Sequence, residues 1–221
     1  RWGTVLGGIL IGLPLISGPI SVFLAIENGA GFAVETARGA LAGTVALAVF
    51  TCVYAAVCPK GWLKASFLSV ALYVLASWIA AELPISAVTL AVSAAAAIVL
   101  SLWIMPVPHS AAVKRRPPKH DLLMRMGMIM VLMIAITFLA PYIGPTASGI
   151  ASTFPYMALT MAVFSQIQGG PDNARRAMHG LMLGMYSGLV FNLVVWALAA
   201  EDRLLIAYAA AIAAALAAQG V

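Results

Sequence analysis

SGIASTFPYMALTMAVFSQIQGGPDNARRAMHGLMLGMYSG, Ser148 to Gly188, is the stretch whose reading decides the fold. Apolar residues run on both sides of Gly169-Gly170-Pro171 with no strand-like alternation. The pattern reads as a proline-interrupted helix, a hinge, and a second long apolar helix. A fainter copy, SGPISVFLAIENGAGFAVETARGALAG, covers Ser17 to Gly43.

The rest of the chain has the same character. Of its 221 residues, 63% are hydrophobic and only 9% charged, against roughly 25% charged in soluble domains. Apolar runs of about 20 residues recur, each long enough to cross a hydrocarbon core of about 30 Å as a helix. Helices rather than a barrel must therefore satisfy the backbone. The expected fold is an all-α polytopic transmembrane bundle of about eight spans, built on an inverted repeat.

The spans are expected at residues 2–26 (read as a span rather than a cleaved signal), 32–57, 62–81, 85–105, 122–140, 146–166, 173–199 and 204–219. A count of seven follows if one prolyl segment is re-entrant. Residues 106–121 hold Pro106, Pro108, Pro117 and Pro118 with Lys114, Arg115, Arg116 and Lys119. They form a basic linker dividing a first half, 1–105, from a second, 122–221.

Charge supports this topology. With the N-terminus inside, the inner loops collect Lys60, Lys64, the linker cations, Arg125, Arg175 and Arg176, whereas Glu27, Glu35, Glu82, Glu201 and Asp202 fall outside, with Arg38 and Arg203 as the basic exceptions there. That is the positive-inside pattern of a cytoplasmic membrane, with both termini cytoplasmic. The net charge of +5 therefore reflects topology. No basic face interleaved with aromatics points to nucleic acid.

At an offset of 141 residues, the distance from Gly29 to Gly170, Gly39 meets Gly180, Gly43 meets Gly184 and Val49-Phe50 meets Val190-Phe191. Five expected spans separate the copies, so they would face opposite ways. In secondary transporters such a plan puts the site between broken helices. The pathway candidates are Pro14, Pro19 and Pro155, whose rings free backbone carbonyls. Thr51 and Asn192 meet in the alignment and either line a pathway or bond across a helix interface. His179 is the natural proton carrier within a span. Arg175 and Arg176, beside it, would meet lipid head groups. Glu27, Glu35 and Arg38 would form an outer mouth, or a plain interfacial ion pair.

Phe154-Pro155, Gly169-Gly170, Arg175 and the aromatic-rich segment Phe191 to Trp196 resemble the core of the GlpM family of small bacterial inner-membrane proteins. The resemblance covers residues 148–200 and carries no catalytic motif. It implies a bacterial inner membrane and a family linked to exopolysaccharide production.

Several classes of chemistry find no support. Cys52 and Cys58 are six positions apart on one helix, too far for a disulfide. Met124, Met126, Met128, Met130 and Met133 spread around a helix instead of converging on a metal. Motifs of hydrolases, zinc proteases and phosphate loops are missing, so no cofactor, metal or catalytic residue is expected. Two readings stay open. One is a secondary transporter or lipid-linked exporter, with membrane lipids and a small solute or lipid-linked substrate as partners. The other is an accessory subunit whose small-residue faces bind partner helices, in a homo-oligomer or beside another membrane chain.

Overall fold

Gly29 starts the first helix from φ 86°, ψ 173°, a conformation essentially confined to glycine. The computed structural model describes residues 22, 25, 26, 29–83, 86–108, 120–131, 134, 135, 154–199 and 203–219. Helix α1, Ala30–Val57, runs into a 3-10 turn at Cys58–Lys60. Gly61 redirects the chain into α2, Trp62–Glu82. Ser86 caps α3, Ala87–Ile104, by accepting from the Thr89 amide at 3.2 Å. Residues 121–131 are helical. Helix α4, Tyr156–Gly169, starts directly after Pro155. Gly170 and Pro171 then open α5, Pro171–Leu198, and α6 is Leu204–Ala218.

Helices α1 and α5 are the frame of the bundle. Each has 28 residues, and each is entered through a positive-φ glycine, Gly29 or Gly170. They pack antiparallel. The start of α5 meets the end of α1, where the Arg175 side chain reaches the Ala55 carbonyl at 3.2 Å. At the opposite end, Ala33 and Ala37 of α1 share an apolar cluster with Phe191 and Val195 of α5 and Tyr208 of α6. Helix α2 folds back on α1 and α6 on α5, while α3 lies against both α1 and α5. Alanines at the contacts (Ala33, Ala37, Ala46, Ala48, Ala174, Ala177) and the buried Gly180 and Gly184 let the backbones approach.

The surface is inverted relative to a soluble protein. Phe67 is 77% exposed and Trp103 86%, whereas Thr51, Ser69 and Ser187 are wholly buried. An apolar exterior around a small, partly polar interior fits lipid as solvent. Trp62 and Trp78 are both exposed on α2, roughly 24 Å apart by helical rise, which suits the two interfaces of one bilayer. The chain is a multi-pass membrane protein.

The eight-span bundle is corrected. Among the described residues four helices are long and apolar enough to cross a membrane: α1 with its 3-10 turn, α2, α3 and α5. The expected span at 146–166 is instead α4, of 14 residues, and the last is α6, of 15. At 1.5 Å per residue these reach roughly 21 and 22 Å, short of the about 30 Å core. Proline supplies the reason for α4, because the helix begins after Pro155 instead of running through it. The expected span at 2–26 falls largely outside the described residues, as do linker residues 109–119; of the span at 122–140, residues 122–131, 134 and 135 are described and helical, and the others lie outside the described residues. The inverted repeat was read from a step of five spans between the copies, spans two and seven, and that step goes with the count of eight.

Gly170→Ala forces a side chain into the φ 78° conformation and is expected to cost about 1–3 kcal/mol. Gly39 has nothing within 4 Å of an added Cβ, so Gly39→Ala should leave stability within about 1 kcal/mol of the parent. Thermal unfolding of the two purified variants in detergent checks both.

Candidate functional site

Four segments converge at the basic end: the end of α1, the 3-10 turn, the end of α4 and the start of α5. The last carbonyls of a helix lack intrahelical partners; here side chains reach two of them, the Cys58 carbonyl also accepting from the Gly61 amide at 3.1 Å. Gln166 is the hub. Its Nε2 donates to the Cys58 carbonyl at 2.6 Å, and its Oε1 accepts from the Tyr54 hydroxyl at 2.9 Å. Arg175 adds a second cap through Nε to the Ala55 carbonyl, and its Nη1 pairs with Asp172 at 3.1 Å. The Cys58 thiol faces the Ala55 and Pro171 carbonyls at 3.3 and 3.6 Å.

The hinge sets this geometry. A Cβ on Gly169 would lie 1.6 Å from Asn173 Nδ2, so only glycine lets buried Asn173 fold back there and accept from Arg176 Nη1 at 2.9 Å. A second knot lies alongside. Arg125 Nε pairs with Asp121 at 2.9 Å, Arg125 also reaches Gln168 at 3.4 Å, and Gln168 in turn donates to Asp121. The Arg125 guanidinium stacks over Phe164, 4.9 Å from the ring centroid.

Helix α4 leaves this latch and ends inside the bundle. Phe154, just before it, packs edge-on against buried Tyr73 at 5.8 Å, and Tyr73 is midway along α2. The N-terminus of α4 carries no side-chain cap and no acidic residue. One turn in, the Thr160 hydroxyl is buried with no hydrogen-bond partner among the described residues.

The predicted site residues are not gathered in one place. Thr51 is wholly buried and donates to the Leu47 carbonyl of its own helix. Asn192 donates to the Gly188 carbonyl at 2.8 Å. Because α1 and α5 are antiparallel, Thr51 is level with the α5 turn at His179, and Asn192 lies roughly 20 Å further on. His179 Nε2 donates to the Pro106 carbonyl at 3.3 Å. Pro155 stands just before α4 and its own oxygen accepts from the Leu159 amide at 2.9 Å, whereas the carbonyl one turn before it, which a missing proline N–H would free, lies outside the described residues. Glu35 and Arg38 pair at 3.8 Å on the exposed start of α1. Pro14, Pro19 and Glu27 lie outside the described residues.

Arg175 and Arg176, read as head-group ligands, pair with Asp172 and Asn173 and are half-buried. Gln166, Gln168 and Tyr54 were not singled out from sequence, and Cys58 was weighed there only as a disulfide partner. The available signal was Gln166 and Gln168 two positions apart in an apolar run, because a buried amide demands partners. Among the described residues no group of His, Cys, Asp and Glu is placed to hold a metal ion.

Arg175→Ala leaves the Ala55 carbonyl and Asp172 without their charged partner, an expected loss of about 1–3 kcal/mol. Adding Asp172→Ala should restore part of it, a coupling that a double-mutant cycle in thermal unfolding reads directly. Glu35→Gln, at the exposed pair, should leave the unfolding temperature unchanged.

Comparison with protein-family models, with curated proteins and with solved structures finds no match to this chain.

Proposed function

We propose that this protein is a small membrane carrier for an anionic solute or lipid-linked anion, with its site at the inner end of α4. The observation that carries this reading is a short helix whose uncapped N-terminus lies level with the middle of α2. Broken helices of secondary transporters aim such positive dipole ends at anionic substrate groups near the bilayer midplane. The unpartnered Thr160 hydroxyl, one turn away, offers a donor at the same place.

In this reading the Gln166–Tyr54–Cys58–Arg175 latch closes the route from the basic end, and movement of α4–α5 against α1 opens it. The basic end is the cytoplasmic face by the positive-inside rule, and the membrane is a bacterial inner membrane, in keeping with the resemblance to the GlpM family. The accessory-subunit reading has less support. It needs small-residue faces free for partner helices; Gly39 is exposed, but Gly180 and Gly184 are buried within this chain.

The test is cysteine accessibility in a Cys52→Ser, Cys58→Ser chain carrying Thr160→Cys. A membrane-impermeant maleimide is expected to label this position slowly. Adding Gln166→Ala should speed labelling from the basic side about tenfold, the shift produced by removing hydrogen bonds worth about 1.4 kcal/mol. The lipid-facing control Val74→Cys should stay protected. Protection of Thr160→Cys in both backgrounds would overturn the carrier reading.

A further inference from the structure

A second feature of the basic end lies outside the latch and does not depend on the carrier reading. The corner between α1 and α2 holds an open groove of about 410 Å³ lined by Val57, Lys60, Leu63, Lys64, Phe67 and Leu68. That volume lies within the about 300–1,000 Å³ range of small-molecule sites. Its wall is almost wholly apolar, the aliphatic stems of the two lysines included. Lys60 and Lys64 stand at the membrane-surface end, and Phe67 and Leu68 lie one turn further into the membrane.

The lysines differ from the other cations of this end. Arg125 and Arg175 are paired with Asp121 and Asp172, and Arg176 is held by Asn173. Lys60 and Lys64 are exposed and form no ion pair among the described residues. Lys64 sits in the first turn of α2, where the helix dipole favours an anion, yet that turn has no acidic residue and Gly61 provides no capping side chain. Two unpaired ammonium groups, an uncapped helix start and a strip of exposed Leu63, Phe67 and Leu68 together match one ligand: a phosphate with an acyl chain attached. Exposed Trp62 adjoins the groove and sets its depth at the interface.

We infer that the groove is a binding site for an anionic glycerophospholipid. The head-group phosphate lies between Lys60 and Lys64, and one acyl chain runs along Leu63, Phe67 and Leu68. Charge complementarity at the surface end selects the phosphate, and the apolar wall selects a lipid over a soluble phosphate.

The test is native mass spectrometry of the full chain in detergent, titrated with phosphatidylglycerol or phosphatidylcholine. Phosphatidylglycerol adducts are expected to persist several-fold beyond phosphatidylcholine adducts. The double variant Lys60→Gln, Lys64→Gln should weaken phosphatidylglycerol retention roughly tenfold or more. Lys60→Arg, Lys64→Arg should keep it, and Arg38→Gln at the opposite end should not affect it. Phe67→Ser should weaken retention of both lipids. Equal retention of the two lipids by the parent chain would overturn the inference. So would unchanged adducts in the double glutamine variant, or an equal loss on Arg38→Gln.

Discussion

The structure depends on satisfying the end of α1 where water is scarce. A helix end buried in protein leaves carbonyls out of reach of water, each costing about 1–3 kcal/mol if left unpaired. Here Gln166 takes the Cys58 carbonyl and Arg175 the Ala55 carbonyl. Both donors come from the segment around Gly169-Gly170-Pro171. The chemistry that ends α1 therefore also fixes where α4 stops and where α5 begins. The hinge glycines serve this meeting, Gly169 by making room for Asn173 and Gly170 by adopting a backbone conformation closed to other residues.

From that anchored end, α1 and α5 run antiparallel over their full lengths, and the interaction changes character on the way. Near the latch it is polar and directional. At the far end it is apolar, with Ala33, Ala37, Phe191 and Val195 in one cluster and Phe191 tilted against Tyr208 at 6.0 Å. In lipid, apolar contacts gain little over helix–tail contacts. Close alanine packing holds the far end, whereas hydrogen bonds with few alternative partners hold the basic end. A hinge motion of the pair is thus constrained at the basic end mainly by identifiable side chains.

How much of this was legible in sequence follows from what each signal encodes. The bounds of α1, α2, α3 and α5 were close, because Gly29, Cys58-Pro59, Gly61 and Gly170-Pro171 are local punctuation acting through backbone geometry. The number of spans was not legible. A window of apolar residues is blind to whether a proline lies within a helix or starts one, and Pro155 starts one. The latch was legible only in part. Arg175 stood out as a charge, but its partners are a backbone carbonyl more than a hundred residues away in sequence and a nearby aspartate. Gln166 carries no charge and repeats no motif. Its role appears only when antiparallel packing brings Tyr54 and Cys58 to it. Pairing Thr51 with Asn192 failed for a related reason: sequence alignment matches equivalent positions, and antiparallel packing moves equivalent positions apart.

The two ends also differ in what their charges do. At the start of α1, Glu35 and Arg38 pair at 3.8 Å in an exposed setting, where solvent and salt screen most of the attraction. At the basic end the acids are already used: Asp121 is engaged by Arg125 and Gln168, and Asp172 by Arg175. Using acids internally leaves the surface of that end with an excess of cations. An excess of exposed cations of this kind favours an anionic lipid surface. One distribution of charge thus does two things at this end: half-buried Arg125 and Arg175 find internal acids, and Lys60 and Lys64 stay exposed.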